Sequence, residues 1–240
     1  MIIIITKDYN ELSKRAADII SIEANKKPDM KLGLATGSTP IGMYKELIKL
    51  YQEKKIDFSN VEAFMLDEYY PIKKSDKNSY YYTNQKFLNK VNIKKSNLKI
   101  LDGETKNSDK FCKEYDKKIR KDPFDLQILG VGVNGHIGFN EPGSSNNSKT
   151  RVIKLSENTR AVNSRFFKNI NNVPKNALTI GIGTIMKSKK IILLANGKNK
   201  AIAIKHLTEG KIDKNWPISF LRNHKNLVVI LDKEAARLIK

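Results

Sequence analysis

His136 and Glu141 stand in the run Leu129-Gly130-Val131-Gly132-Val133-Asn134-Gly135-His136-Ile137-Gly138-Phe139-Asn140-Glu141-Pro142-Gly143, where an apolar stretch empties into a glycine-dense loop. Glycines free the backbone to turn and to approach a ligand closely. An imidazole with a reference pKa of about 6.5, oriented by a carboxylate five positions on, can pass a proton to and from a substrate oxygen near neutral pH. No His-x-His or His-Glu-x-x-His spacing accompanies His136, so the loop reads as proton-transfer machinery rather than a zinc site. The remaining histidines, His206 and His224, fall in a helical pattern and a polar turn and read as structural or surface residues.

Three further segments carry chemistry. Asp67-Glu68 follows the apolar run Val61–Leu66. Either acid, partly desolvated beside a substrate, could exchange a carbon-bound proton, although an acidic pair after a strand also fits a helix cap or a surface turn. Thr36-Gly37-Ser38-Thr39-Pro40 places hydroxyls and free backbone N–H groups at a helix N-terminus. It can hold a phosphate, and equally reads as a plain Thr39 N-cap. Arg160 and Arg165, among hydroxyl-bearing neighbours, and Gly197-Lys198-Asn199-Lys200 supply cations for phosphate oxygens.

The triplet Gly130, Gly132 and Gly135 matches a dinucleotide-binding fingerprint, with Glu157 near the expected distance for an acidic ribose ligand. That fingerprint needs a helix opening at its third glycine. Asn140, Pro142, Gly143 and the serines after them break any such helix.

Short β-branched runs at Ile2–Ile5, Leu32–Ala35, Val61–Leu66, Leu126–Val131, Leu178–Ile182, Ile191–Ala195 and Leu227–Leu231 must position these residues. Helical patterns over Asp8–Asn25, Pro40–Glu53, Asp109–Arg120 and Asn199–Glu209 alternate with them. Continuous apolar strands between helices predict an α/β fold: one Rossmann-like domain over residues 1–240, an open, mainly parallel sheet with helices on both faces. Ligands of such sheets bind where strands end and helices begin, which is where the Thr36–Thr39 turn, Asp67-Glu68, the His136 loop and Gly197–Lys200 lie.

The 240 residues carry 45 Lys and Arg against 25 Asp and Glu, a net charge of +20. The basic residues are spread among helices and loops, without a basic stripe and stacking aromatics, so a solvated surface is expected rather than nucleic-acid binding. The field still favours a phosphorylated metabolite. Cys112 is the single cysteine, which suits a reducing compartment. Met1-Ile2-Ile3-Ile4-Ile5 lacks the anatomy of a signal peptide and no apolar run reaches membrane-spanning length. A cytoplasmic protein without a membrane partner is expected.

The segments Leu34–Pro40, Met65–Tyr69, Gly135–Pro142 and Asn163–Phe167, in this order and spacing, resemble the glucosamine-6-phosphate deaminase family, the Gly-His-Ile-x-Phe-Asn-Glu-Pro segment most specifically. The resemblance implies deamination and isomerisation of glucosamine 6-phosphate to fructose 6-phosphate and ammonia, without metal or organic cofactor. Asp67 would move a proton from C2 to C1. His136, oriented by Glu141, would open the pyranose ring. Ser38, Thr39, Arg165 and Lys200 match the family's phosphate-binding positions, with Thr36 and Gly37 beside Ser38 also expected to bind substrate. Some members carry an aspartate where this chain has Asn134, which could assist ring opening only by hydrogen bonding. Allosteric members resemble the chain at Ser144, Ser145 and Arg151 but have a basic residue where Ile153 stands, so little or no activation by N-acetylglucosamine 6-phosphate is expected. The galacto-epimer as substrate, or a non-catalytic sugar-phosphate sensor, are the alternatives. A homo-oligomer is a possibility that the residues leave open.

Overall fold

A computed structural model describes residues 1–239, with backbone alone at 81–83. The first helix shows how local sequence sets an element. Asp8 accepts a hydrogen bond from Glu11 N at 2.9 Å and starts α1 (Tyr9–Lys26) after strand β1 (Ile2–Thr6). Leu12, Ala16, Ile20 and Ala24 recur every four residues and form its buried face. The chain continues through β2 (Lys31–Leu34), α2 (Pro40–Gln52), β3 (Glu62–Met65), β4 (Asp67–Tyr70), α3 (Tyr80–Leu88), β5 (Leu98–Lys99), α4 (Ser108–Lys121) and β6 (Leu126–Gly130). It then runs through β7 (Arg151–Lys154), α5 (Glu157–Asn163), β8 (Asn176–Thr179), α6 (Ile182–Ile185), β9 (Ile191–Ala195), α7 (Ala201–Thr208), β10 (Leu227–Asp232) and α8 (Lys233–Ala236).

Seven strands form a parallel sheet in the order β1-β10-β9-β6-β2-β3-β5. Strands β9 and β10 are buried along their whole length, as parallel strands covered on both faces must be. From β1 to β2 to β3 the chain steps towards one edge, whereas from β5 to β6 and from β9 to β10 it steps back. Right-handed crossovers therefore place α1 and α2 on one face and α4 and α7 on the other. The reversal falls between neighbours β2 and β6, and the chain leaves their C-terminal ends towards opposite faces. That crevice is where a doubly wound sheet binds its ligand.

The parallel sheet agrees with the sequence expectation, and two strands depart from it. The run ending at Leu66 stops at Met65, and Asp67–Tyr70 forms a separate strand instead of a turn or helix cap. The run expected over Leu178–Ile182 splits into β8 and the start of α6. Strands β4, β8 and β7 make a second, antiparallel three-stranded sheet. Periodicity failed here because β-branched content marks a strand without saying which sheet it joins. Among the described residues no helix is long and apolar enough to cross a membrane.

Candidate active site

Four adjacent strands, β9-β6-β2-β3, finish on the same edge of the sheet, with Ala195 near Gly130, and Leu34 beside Met65. The segments that follow them carry Lys200, His136, the Thr36–Thr39 turn and Asp67. All of these line one pocket, together with Asn134, Gly138, Phe139, Tyr80 and Arg165. Glu141 is not among its lining residues and stands behind the imidazole.

Asp67 opens β4 opposite Thr179 of β8 and is buried. Thr36 Oγ1 donates to its Oδ1 at 3.2 Å. Burial pushes the carboxyl up to about 7, the Thr36 hydrogen bond opposes that shift and the charge of Glu68 adds to it. Its other oxygen faces Gly138, where a Cβ would stand 3.6 Å from Oδ2, so this glycine (φ +57°) keeps the approach to the carboxylate open. Glu68 does different work: its Oε1 accepts from Tyr69 N and from Tyr80 N, at the start of α3. The acidic pair thus divides into one carboxyl in the pocket and one tying α3 to β4.

The glycine loop contains no helix, which removes the dinucleotide reading. Gly132 N donates to His136 O and Gly135 N to Gly132 O, folding the segment into a tight turn. The imidazole lies flat on Gly132, where a Cβ would fall within 2.5 Å of its Cε1, Nδ1 and Nε2 atoms. Asn134 comes between His136 and Glu141. Its Nδ2 donates to Glu141 Oε2 at 2.9 Å, and its Oδ1 lies 2.7 Å from His136 Nδ1. Glu141 itself stays 3.9 Å from that nitrogen. The direct histidine–carboxylate contact expected from sequence is replaced by an amide relay, because the tight turn folds Asn134 under the ring. Burial lowers the His136 pKa, the Glu141 charge opposes this and Lys200 adds to the lowering. The ring is therefore neutral near pH 7, with Nδ1–H donated to Asn134 and Nε2 left as a free base.

The cationic wall comes from two distant segments. Lys200 precedes α7, and its pKa is lowered by burial and by the Arg165 charge. An anion bound between Lys200 and Arg165 would relieve the repulsion that Lys200 feels. The α2 N-terminus faces the same space through Thr36, Gly37, Ser38 and Thr39. Gly37 takes φ +91°, open to glycine and strained for other residues. Thr39 is not an N-cap: its backbone is already helical, no side-chain cap forms, and its Oγ1 donates to Asn196 Oδ1 at 2.7 Å, tying the turn to the end of β9. Tyr9 Oη braces the turn by donating to Thr39 O and accepting from Gly42 N. Arg160 does not face the pocket; it donates to Ile170 O and Val173 O.

Of the far wall the sequence reading marked only Thr159, beside Arg160, as able to bind phosphate oxygens; it missed Asn158, Val162 and Asn163. Asn158, Thr159, Val162 and Asn163 line the pocket from one face of α5, a helix whose N-cap Ser156 accepts from Thr159 N. Their spacing at i, i+4 was the available signal. Tyr80 was missed as well; it stacks on Phe139 with ring centroids 5.5 Å apart. His224 is buried and makes a structural bond to Ser188 O at 2.7 Å, and Cys112 is buried on α4. Among the described residues no group of three or more His, Cys, Asp or Glu side chains is placed to hold a metal ion.

Known proteins carry the same arrangement of sequence and fold. The chain is 49% identical over 241 residues to glucosamine-6-phosphate deaminase of Thermoanaerobacter sp. (strain X514), covering 100% of this chain and 95% of that protein. It is 52% identical over 232 residues to the protein of the same name from Clostridium novyi (strain NT), covering 96% of each. The solved structure of a monomeric glucosamine-6-phosphate deaminase superposes with a TM-score of 0.97 at 43% identity, over 99% of this chain and 100% of that one. The family described as glucosamine-6-phosphate isomerases/6-phosphogluconolactonase matches residues 7–230, and the chain belongs to it.

Proposed function

We propose that this protein is a glucosamine-6-phosphate deaminase, converting glucosamine 6-phosphate and water to fructose 6-phosphate and ammonia in amino-sugar breakdown. The observation that carries the reading is Asp67, a buried carboxyl pushed up to about 7 in the same pocket as a neutral histidine base and two cations. A carboxyl with that pKa is part ionised at neutral pH and both takes and returns a proton.

The phosphate sits between Lys200, Arg165 and the α2 N-terminus, with Ser38 and backbone N–H groups as donors. Held there, the sugar presents its reacting end to the other side of the pocket, so the energy of phosphate binding goes into orientation. His136 Nε2 takes the proton of the C1 hydroxyl and delivers it to the ring oxygen, which opens the pyranose to the aldehyde. Asp67 removes the C2 proton as O1 takes up a proton, giving an enolamine, and returns its proton to C1 as the amino group gives one up. The resulting C2 imine adds water and loses ammonia. Glu141 acts through Asn134 by holding its amide in the orientation that receives Nδ1–H. Phosphosugars do not pass freely through bilayers, so the reaction belongs in the cytoplasm.

The test is incubation of purified protein with glucosamine 6-phosphate in the presence of a chelator, following ammonia and fructose 6-phosphate together. Equal release of both is expected. Release from galactosamine 6-phosphate alone would move the substrate to the epimer, and binding without turnover of either sugar would leave a sensor.

A further inference from the structure

Trp216 is the chain's one tryptophan, and it is not among the lining residues of the pocket. It lies in the loop between α7 and the 3-10 turn Pro217–Asn223. That loop and the start of the turn hold the glycine segment at both ends: Ile218 N donates to Gly135 O at 2.9 Å, and Gly143 N donates to Lys214 O at 2.8 Å. The seven residues between those anchors include His136 and Glu141. Between the anchors' partners stands Trp216, whose indole Cε3 lies 2.7 Å from where a Cβ on Gly135 would be. Gly135 has φ +79° and directly precedes His136, so the indole edge presses on the backbone that aims the imidazole.

The brace is itself stiff. Ser219 Oγ accepts from Asp213 N and donates to Asp213 O, and Trp216 N donates to Asp213 O at 2.9 Å. The indole also stacks on His206, with ring centroids 3.9 Å apart and planes 12° from parallel. His206 lies on α7, the helix that begins immediately after Lys200.

Given the reading of His136 as the ring-opening base, we propose that Trp216 is a positioning residue for it: backed by His206, the indole holds Gly135 and keeps the 135–143 segment seated. An indole filling space for stability alone would affect melting and leave turnover below the melting temperature unchanged. A brace on the base affects kcat, because displacement of a reacting group by about an ångström costs up to about 100-fold in rate. The phosphate wall does not pass through Gly135, so KM is spared.

The experiment compares Trp216→Ala, Trp216→Phe and His206→Ala with the parent protein, each confirmed folded by circular dichroism. It measures kcat and KM against pH and the 15N signals of the three histidines. For Trp216→Ala we expect kcat to fall about tenfold or more with KM within about twofold, and the His136 signals to move from a single Nδ1–H form to a tautomer mixture. Trp216→Phe keeps an aromatic ring against Gly135 and recovers most of the loss; His206→Ala, which keeps the indole, shows a smaller loss of the same kind. Parental kcat, pH profile and His136 signals in Trp216→Ala would overturn the proposal, as would parallel loss of kcat and KM that Phe does not rescue. If the parent itself turns over no sugar, the functional reading falls, and the histidine signals still decide the brace.

Discussion

Asn134 Oδ1 lies 2.7 Å from His136 Nδ1, and this amide, rather than a carboxylate, is the imidazole's direct partner. An amide has one accepting end and one donating end. Glu141 accepts only, so it takes Asn134 Nδ2 and leaves Oδ1 for the ring. The ring must then donate through Nδ1, which leaves Nε2 unprotonated and able to accept a proton. A neutral residue thus transmits orientation from a carboxylate without bringing the charge into contact.

Asn134→Leu removes this control. The expected result is a fall in kcat on the order of 100-fold, within the usual range for a misplaced general base, with KM little changed. Asn134→Asp puts a negative charge beside the ring and raises the His136 pKa, so the acid limb of the kcat/KM profile moves to higher pH. Both are read from rate profiles between pH 5 and 9.

Asp67→Asn should abolish turnover while the phosphosugar still binds, as measured by calorimetry. It should also change stability with a defined sign. The Asp67 carboxyl is pushed up to about 7 in the fold from about 3.9 in an unfolded chain. The native state therefore holds its proton more tightly, and stability is lost as pH rises through this window. The asparagine variant is expected to be more stable than its parent at pH 8, by on the order of a few kcal/mol, and the difference should vanish towards pH 4. Denaturant titrations at the two pH values check it; equal stability at pH 8 would contradict the buried charge.

Gly132→Ala places a methyl group on the atoms of the imidazole. The obstacle is a side chain, so His136 swings away and the fold survives. Circular dichroism should match the parent, while kcat falls on the order of 100-fold or more. A variant with normal turnover would show that the ring does not rest on Gly132 during the reaction.

Lys200→Gln and Arg165→Ala should act mainly on KM, raising it about tenfold or more as charge-assisted contacts to phosphate are lost. Lys200 also lowers the His136 pKa. Lys200→Gln should therefore shift the acid limb of the free enzyme upward in pH. Arg165, exposed over the Phe166 ring, does not contribute to that shift and should leave the limb in place.

N-acetylglucosamine 6-phosphate should not activate the enzyme. The Arg151 guanidinium is already engaged, donating to Asn140 Oδ1, Lys149 O and Ser144 Oγ, and Ile153 adds no charge. Rate curves with and without the compound should be hyperbolic and superimposable; a sigmoidal curve straightened by it would refute this.

The sequence by itself determined the strand and helix alternation, the sheet class and the positions of Asp67, His136, Lys200 and the Thr36–Thr39 turn at strand ends. Those features are local: they depend on residue type and on periods of two and 3.6, which a linear chain displays. It also marked Asn134 and Glu141, placing Glu141 directly on the imidazole, where the structure puts Asn134. What only the tertiary structure decided depends on residues far apart in the chain. The antiparallel sheet joins Asp67 to Thr179, and Thr179 Oγ1 accepts from Phe139 N of the glycine loop, so three segments meet where no period could foretell it. The raised pKa of Asp67 is a consequence of desolvation, a property of the surroundings and not of the residue. The α5 wall and the Trp216 brace are likewise contacts between elements, set by how the layers pack and therefore absent from any short stretch of sequence.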